Sequence, residues 1–239
     1  MINKFIFFLS GLLLTLPSYV SSEVITKIEK PNSYLFISDS LPNHSTSILF
    51  QNKIPKKKMI YFEIPKFPSY IGSKVLVENV GLTKDGILIR HEIGDCFDDN
   101  CNLNYSIVFM GNRRLSLDHN LGKYDDYGMY YYVGAGNYLK NTSEKYNPIG
   151  FAVDGFPIFL SHDQETSSYQ LIEGKRDIKN ASMYTGKYYQ DFEFVKGSGT
   201  LDECNGRFIN GHYQYFITEN FPFTPPCING ESYYRIMVK

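Results

Sequence analysis

Between Glu23 and Val80 the apolar positions fall in short runs, Tyr34 to Ile37, Ser47 to Phe50, Met59 to Ile64 and Val75 to Val77, broken at Pro31, Pro42, Pro55 and Pro65. Runs of this length bounded by turn formers predict strands. Further along, Asp85-Gly86 and Asp154-Gly155 each sit between apolar residues. A tight two-residue turn needs positive φ, which Asp and Gly tolerate, so both dipeptides predict hairpins and both aspartates are read as turn formers, not catalytic carboxylates. Pro157 follows the second turn at once and, lacking an N–H, suits the start of a strand. Residues two apart on a strand share a face, so Tyr130 pairs with Tyr132 and Tyr213 with Tyr215, while Tyr131, Val133, Gln214 and Phe216 take the opposite side.

Two of these patterns occur twice and in the same order. GLTKDGILI (Gly81 to Ile89) matches GFAVDGFPI (Gly150 to Ile158), and LDHNLGKYDDYGMYYYVG (Leu117 to Gly134) matches LDECNGRFINGHYQYFIT (Leu201 to Thr218) with one residue more before its tyrosines. Ordered blocks of this kind predict an internal duplication. The expected fold is mainly β, one compact domain of two fused β-rich repeats, repeat one over about 78–140 and repeat two over about 147–239. The offsets differ, 69 residues for the first block and 84 for the second, so the second copy is expected to carry an insertion.

The N-terminus changes the setting. An apolar run from Phe5 to Leu16 is followed by small residues at Val20, Ser21 and Ser22, the layout of a secretory signal over 1–22 with cleavage before Glu23; an uncleaved anchor is the alternative. No later run reaches the ~18 apolar residues of a membrane helix, so the mature region 23–239 is expected in the periplasm or outside the cell. Four N-x-S/T acceptors, at Asn43, Asn104, Asn141 and Asn180, would matter there if the cell glycosylates its exports.

Composition narrows function mainly by exclusion. The 24 basic and 25 acidic residues are interspersed, which gives no patch for nucleic acid or an anionic membrane. Twenty tyrosines, 19 glycines and 11 prolines with no tryptophan favour strands and turns. Four cysteines allow three pairings; Cys96 with Cys101 and Cys204 with Cys227 are expected, since each pair closes a local loop within one repeat. A zinc site is the sharper alternative, without C-x-x-C spacing to support it. Asp95, Asp98 and Asp99 crowd the first cysteine loop but miss the calcium-loop spacing.

IGFAVDGFPIF followed by LDECNGR, Tyr213-x-Tyr215-x-x-Thr218, FPF and a cysteine resembles the YHYH family of secreted proteins, and LPNHSTS resembles its entry segment, so the likeness runs from about Leu41 to Cys227. The resemblance implies the fold and carries no established reaction. In histidine-bearing relatives, two imidazoles on one strand face would suit a borderline metal. Here Tyr131 and Val133, or Gln214 and Phe216, hold those places, so copper or zinc binding is expected to be weak and the strands to pack as a tyrosine ladder.

The candidate ligand-binding residues are therefore Asp118, Tyr130 and Tyr132 in one copy and Asp202, Tyr213 and Tyr215 in the other. Asp118 and Asp202 occupy equivalent places, where they could cap turn amides or line a site. His91, His119 and His162 are the metal candidates; His91 and His162 follow the two hairpins at similar distances. No nucleophile elbow, H-E-x-x-H or phosphate loop occurs, so no catalytic residue is assigned. The expected role is an exported ligand-binding module for an unknown small ligand or extracellular partner; the alternative is a metal-dependent extracytoplasmic enzyme using the aspartates and histidines.

Overall fold

The computed structural model of the chain describes residues 26–46, 56–91, 117–176, 183–231 and 235–238. The N-terminal apolar run, Ser47 to Phe50, Cys96, Cys101, the aspartates between them, Asn104 and Asn180 lie outside these residues.

The protein is mainly β. A four-stranded antiparallel sheet takes β1 (Thr26–Glu29), β2 (Ser33–Ser38), β3 (Ile60–Pro65) and the C-terminal β16 (Arg235–Val238) in the order β1-β2-β3-β16. Alternation in β3 buries Ile60, Phe62 and Ile64 and leaves Tyr61 and Glu63 partly open, the pattern of a sheet with one face on a core.

That core is shared with an eight-stranded sheet. Its strands are β5 (Asn79–Thr83), β6 (Leu88–Arg90), β7 (Gly122–Tyr124), β8 (Tyr130–Tyr132), β9 (Gly150–Ala152), β10 (Pro157–Leu160), β13 (Gly206–Ile209) and β14 (His212–Ile217). The order is β13-β14-β10-β9-β5-β6-β8-β7. Read outward from the central β5–β9 pair, each half runs through an antiparallel hairpin, a parallel step and another antiparallel pair. The registers correspond as well. Ile89 lies opposite Tyr132 and Ile158 opposite Tyr215 across the parallel steps, while Gly122 faces Tyr132 and Gly206 faces Tyr215 across the outer pairs.

Both Asp-Gly hairpins form, with Gly86 at φ 86° and Gly155 at φ 87°. Pro157 opens β10, where its missing N–H leaves no ladder position unpaired inside the strand. Two small sheets complete the protein. β11 (Tyr169–Leu171) pairs with β12 (Phe192–Phe194), and β4 (Tyr70–Leu76) pairs with β15 (Cys227–Gly230). The β11–β12 pair lies in the connection from β10 to β13, within the longer spacing of the second sequence block. A short helix, α1 (Asn137–Thr142), follows β8 and buries Leu139.

Cys204 and Cys227 are disulfide-bonded, with Cα atoms 4.8 Å apart and a sequence separation of 23. The bond ties β15 to the turn before β13. Closing a loop of that size contributes about 3 kcal/mol in the chain-entropy account.

Candidate functional site

Each half of the large sheet contains an aspartate, a glycine and a tyrosine that require one another. In the first half, Asp118 Oδ1 accepts the amides of Asn120 (2.8 Å) and Gly122 (3.0 Å), and Oδ2 accepts the Tyr130 hydroxyl at 2.6 Å. In the second, Asp202 Oδ1 accepts from Cys204 and Gly206, both at 2.9 Å, and Oδ2 from the Tyr213 hydroxyl at 2.7 Å. The glycines make room for this. A Cβ on Gly122 would collide with the Tyr130 hydroxyl, and one on Gly206 with that of Tyr213. The D-x-x-x-G spacing thus encodes a turn whose cap also anchors a phenol from the neighbouring strand.

The second tyrosine of each pair reaches the hairpin aspartate instead. Tyr215 donates to Asp154 Oδ2 at 2.6 Å, and Tyr132 approaches Asp85 Oδ2 at 3.5 Å. The rings cross edge to face, Tyr130 on Tyr132 at 5.5 Å and Tyr213 on Tyr215 at 5.1 Å, a favoured packing for aromatic quadrupoles. Desolvation and the adjacent carboxylates push all four phenols far above the ordinary tyrosine range, so they stay protonated and act as donors. The six sequence candidates are brought together as two sets of one aspartate and two tyrosines; Tyr130 and Tyr213 bond the aspartate of their own set, while Tyr132 and Tyr215 bond the hairpin aspartates.

The halves differ in what closes them. In the second, Asn229 on β15 donates its amide to the Tyr215 hydroxyl at 2.6 Å and its Nδ2 to the Tyr213 hydroxyl at 2.7 Å, while the Gly230 amide reaches Asp154 Oδ2 at 2.9 Å. Asp154 has no exposed surface. In the first half a side chain stands in that place. His44 Nε2 lies 2.7 Å from the Tyr132 hydroxyl, its Nδ1 lies 2.8 Å from Asn120 Nδ2, and its ring packs against Tyr138 at 4.7 Å. The Tyr138 amide donates to Asn120 Oδ1, which turns the Asn120 amino group toward His44. The same Nδ1 also lies 3.1 Å from the Ser45 carbonyl. Asn120, two residues beyond Asp118, holds with hydrogen bonds what Cys204, two beyond Asp202, holds with a disulfide.

Asp85 is only half-buried and lines a cleft of 320 Å³ with Lys84, Tyr138, Thr142, Glu144 and Asn147. Desolvation raises its pKa above the usual carboxylate value, against hydrogen bonding by Thr83 and the nearby His44.

The metal candidates are dispersed. His91 is buried at the end of β6, its ring 5.5 Å from Tyr189, and burial lowers its pKa to about 4. His119 is exposed in the Asp118 turn, and His162 is exposed beyond β10 with its amide on Glu165. Their expected correspondence fails, because the register that aligns Ile89 with Ile158 aligns His91 with Leu160. Among the described residues no three His, Cys, Asp or Glu side chains are grouped to hold a metal ion. The positions opposite the ladder tyrosines, Tyr131, Gln214 and Phe216, line clefts on the other face of the sheet.

Sequence reasoning passed over His44 and Asn229. The signal for His44 was its place in LPNHSTS; nothing local distinguishes Asn229 from an ordinary strand residue.

Fold and site define a mainly β protein whose central sheet has two like-ordered halves, each carrying an Asp-Tyr triad. The family model described as "YHYH protein" matches residues 61–230, and the chain belongs to that family. No curated protein and no solved structure matches it. No helix among the described residues is long and apolar enough to cross a membrane.

Proposed function

We propose that this is an exported, non-catalytic ligand-binding module in which the first half of the large sheet holds the ligand and the second half is the scaffold. The observation carrying this reading is the contrast between two related carboxylates. Asp154 is enclosed by Tyr215 and the Gly230 amide, whereas Asp85 opens on a cleft. In the second half the chain itself supplies the N–H that a ligand would supply in the first. The ligand class is therefore a small molecule with an ammonium or amide donor, bound by Asp85 with Tyr138 and Asn147 beside it. A partly desolvated carboxylate gains most from a charged donor.

The like order and register of the halves, with the two repeated sequence blocks, support descent from one duplicated unit. The N-terminal apolar run and the disulfide support export.

Calorimetric titration with small primary amines and N-acetyl amino-acid amides tests the reading. At least one should bind, and Asp85→Asn should weaken it tenfold or more, while the exposed Glu231→Gln has no effect. Lack of binding by the whole panel, or unchanged affinity in Asp85→Asn, refutes it.

A further inference from the structure

A second, larger cleft lies beside the strand positions that the triads do not use. It has a volume of 770 Å³ and is lined on the β6–β8 side by Arg90, Tyr131, Tyr124 and the turn from Asp125 to Met129. Arg90 is nearly immobilised. Its guanidinium lies over the Tyr131 ring at 4.2 Å, Nε donates to Asn79 at 3.0 Å and Nη2 to Asp125 at 3.2 Å. Asp125 uses its other oxygen to accept the amides of Tyr127 (3.0 Å) and Met129 (2.9 Å), and Gly128 donates back to the Asp125 carbonyl.

This well-tied turn presents Tyr127 with 72% of its surface exposed. The corresponding turn of the second half is Asn210-Gly211, both at positive φ, which closes the strands with one residue fewer and no aromatic. Folding does not require an exposed phenol ring on a rigid turn; it is a preorganised contact surface.

From this placement we infer that the cleft binds a neutral saccharide, with the ring of Tyr127 against one sugar face and the side chains of Arg90, Asp125 and their neighbours hydrogen-bonding the hydroxyls. Charge balance selects the class. Lys58, Arg90 and Lys123 stand against Glu78, Asp125 and Asp126 around the cleft, so an ion of either sign meets its own charge there. A purely apolar ligand would strand those groups away from water. A sugar ring offers an apolar face to a tyrosine and many hydroxyls to paired charges, and the volume lies within the range of small-molecule sites. Asp85 does not line this cleft, so the site is separate from the one proposed above.

The test is calorimetric titration with neutral tri- and tetrasaccharides of glucose, mannose, xylose and N-acetylglucosamine, and with a uronic-acid tetramer. At least one neutral oligosaccharide should bind. Tyr127→Ala, which alters only an exposed ring, should weaken it at least tenfold. Tyr146→Ala, at a residue 82% exposed in the separate cleft lined by Gln214 and Phe216, and Asp85→Asn should leave it unchanged. Binding of none of the neutral sugars, binding of the uronic acid alone, or unaltered affinity in Tyr127→Ala would overturn the assignment.

Discussion

The two halves of the large sheet share strand order, register and a set of Asp-Tyr contacts, and they part company where something must cover those contacts. Over the second half lies a strand, β15, held by a disulfide and supplying backbone and Asn229 donors. Among the described residues the first half is covered by the segment around His44, whose ring is held by Asn120 and three tyrosine rings while Thr46 bonds the Tyr124 hydroxyl. A backbone cover exchanges only by local unfolding, whereas a side chain can move by changing rotamer. Like skeletons can thus differ in access, and access decides which half can meet a ligand.

The most severe test of the comparison is at the turn aspartates, which make the same two capping bonds and phenol bond in each half, Asp202 accepting in addition from Asn229 Nδ2 at 3.2 Å. Asp118→Ala and Asp202→Ala each remove two capping bonds and a buried phenol's acceptor, so each should cost about 4 kcal/mol. Urea denaturation of both variants measures this. Costs differing by more than about 2 kcal/mol would mean that the shared contacts conceal unlike energetics.

Next in size is a difference that acid should expose. His91 stands at the end of β6 where Leu160 stands in the second half, and burial holds its folded pKa at about 4. The folded state binds fewer protons than the unfolded one between about pH 6.5 and 4, so stability is present above the unfolded pKa and is lost as pH falls through this window. The loss attributable to His91 is about 3 kcal/mol, and His91→Leu should remove it from the pH dependence of unfolding. An unaltered acid limb in that variant would place the titrating group elsewhere.

How much of this could be read in the sequence depended on whether the signal was local. The hairpins could be read because Asp85-Gly86 and Asp154-Gly155 state their own turn requirement, and the Cys204–Cys227 bond because the pair closes a local loop within one repeat. The tyrosine faces followed from strand alternation. The covers could not be read, because His44 meets Tyr132 across 88 residues and the Gly230 amide meets Asp154 across 76. Only the assembled sheets bring those groups together. The two-fold choice for Asp118 and Asp202, cap or site wall, needed the glycines to be seen beneath the phenols.

The smallest quantity, the difference between two Tyr→Phe variants, is the most discriminating, because it concerns the pair whose environments diverge. Tyr215→Phe removes the hydroxyl that donates to Asp154 and accepts from the Asn229 amide. Both partners stay buried with those bonds broken, which should cost about 3 kcal/mol. In the first half only the carboxylate contact is longer and more open: Tyr132 lies 3.5 Å from a half-buried Asp85, while its bond to the half-buried His44 is 2.7 Å. Asp85 lines an open cleft through which water can reach its carboxylate, so Tyr132→Phe should cost less, about 1 kcal/mol. Hydrogen exchange should also separate the variants, with Tyr215→Phe loosening β15 amides and Tyr132→Phe leaving them protected. Equal costs would show that the first half is as tightly closed as the second, and the proposed difference in access would fall with them.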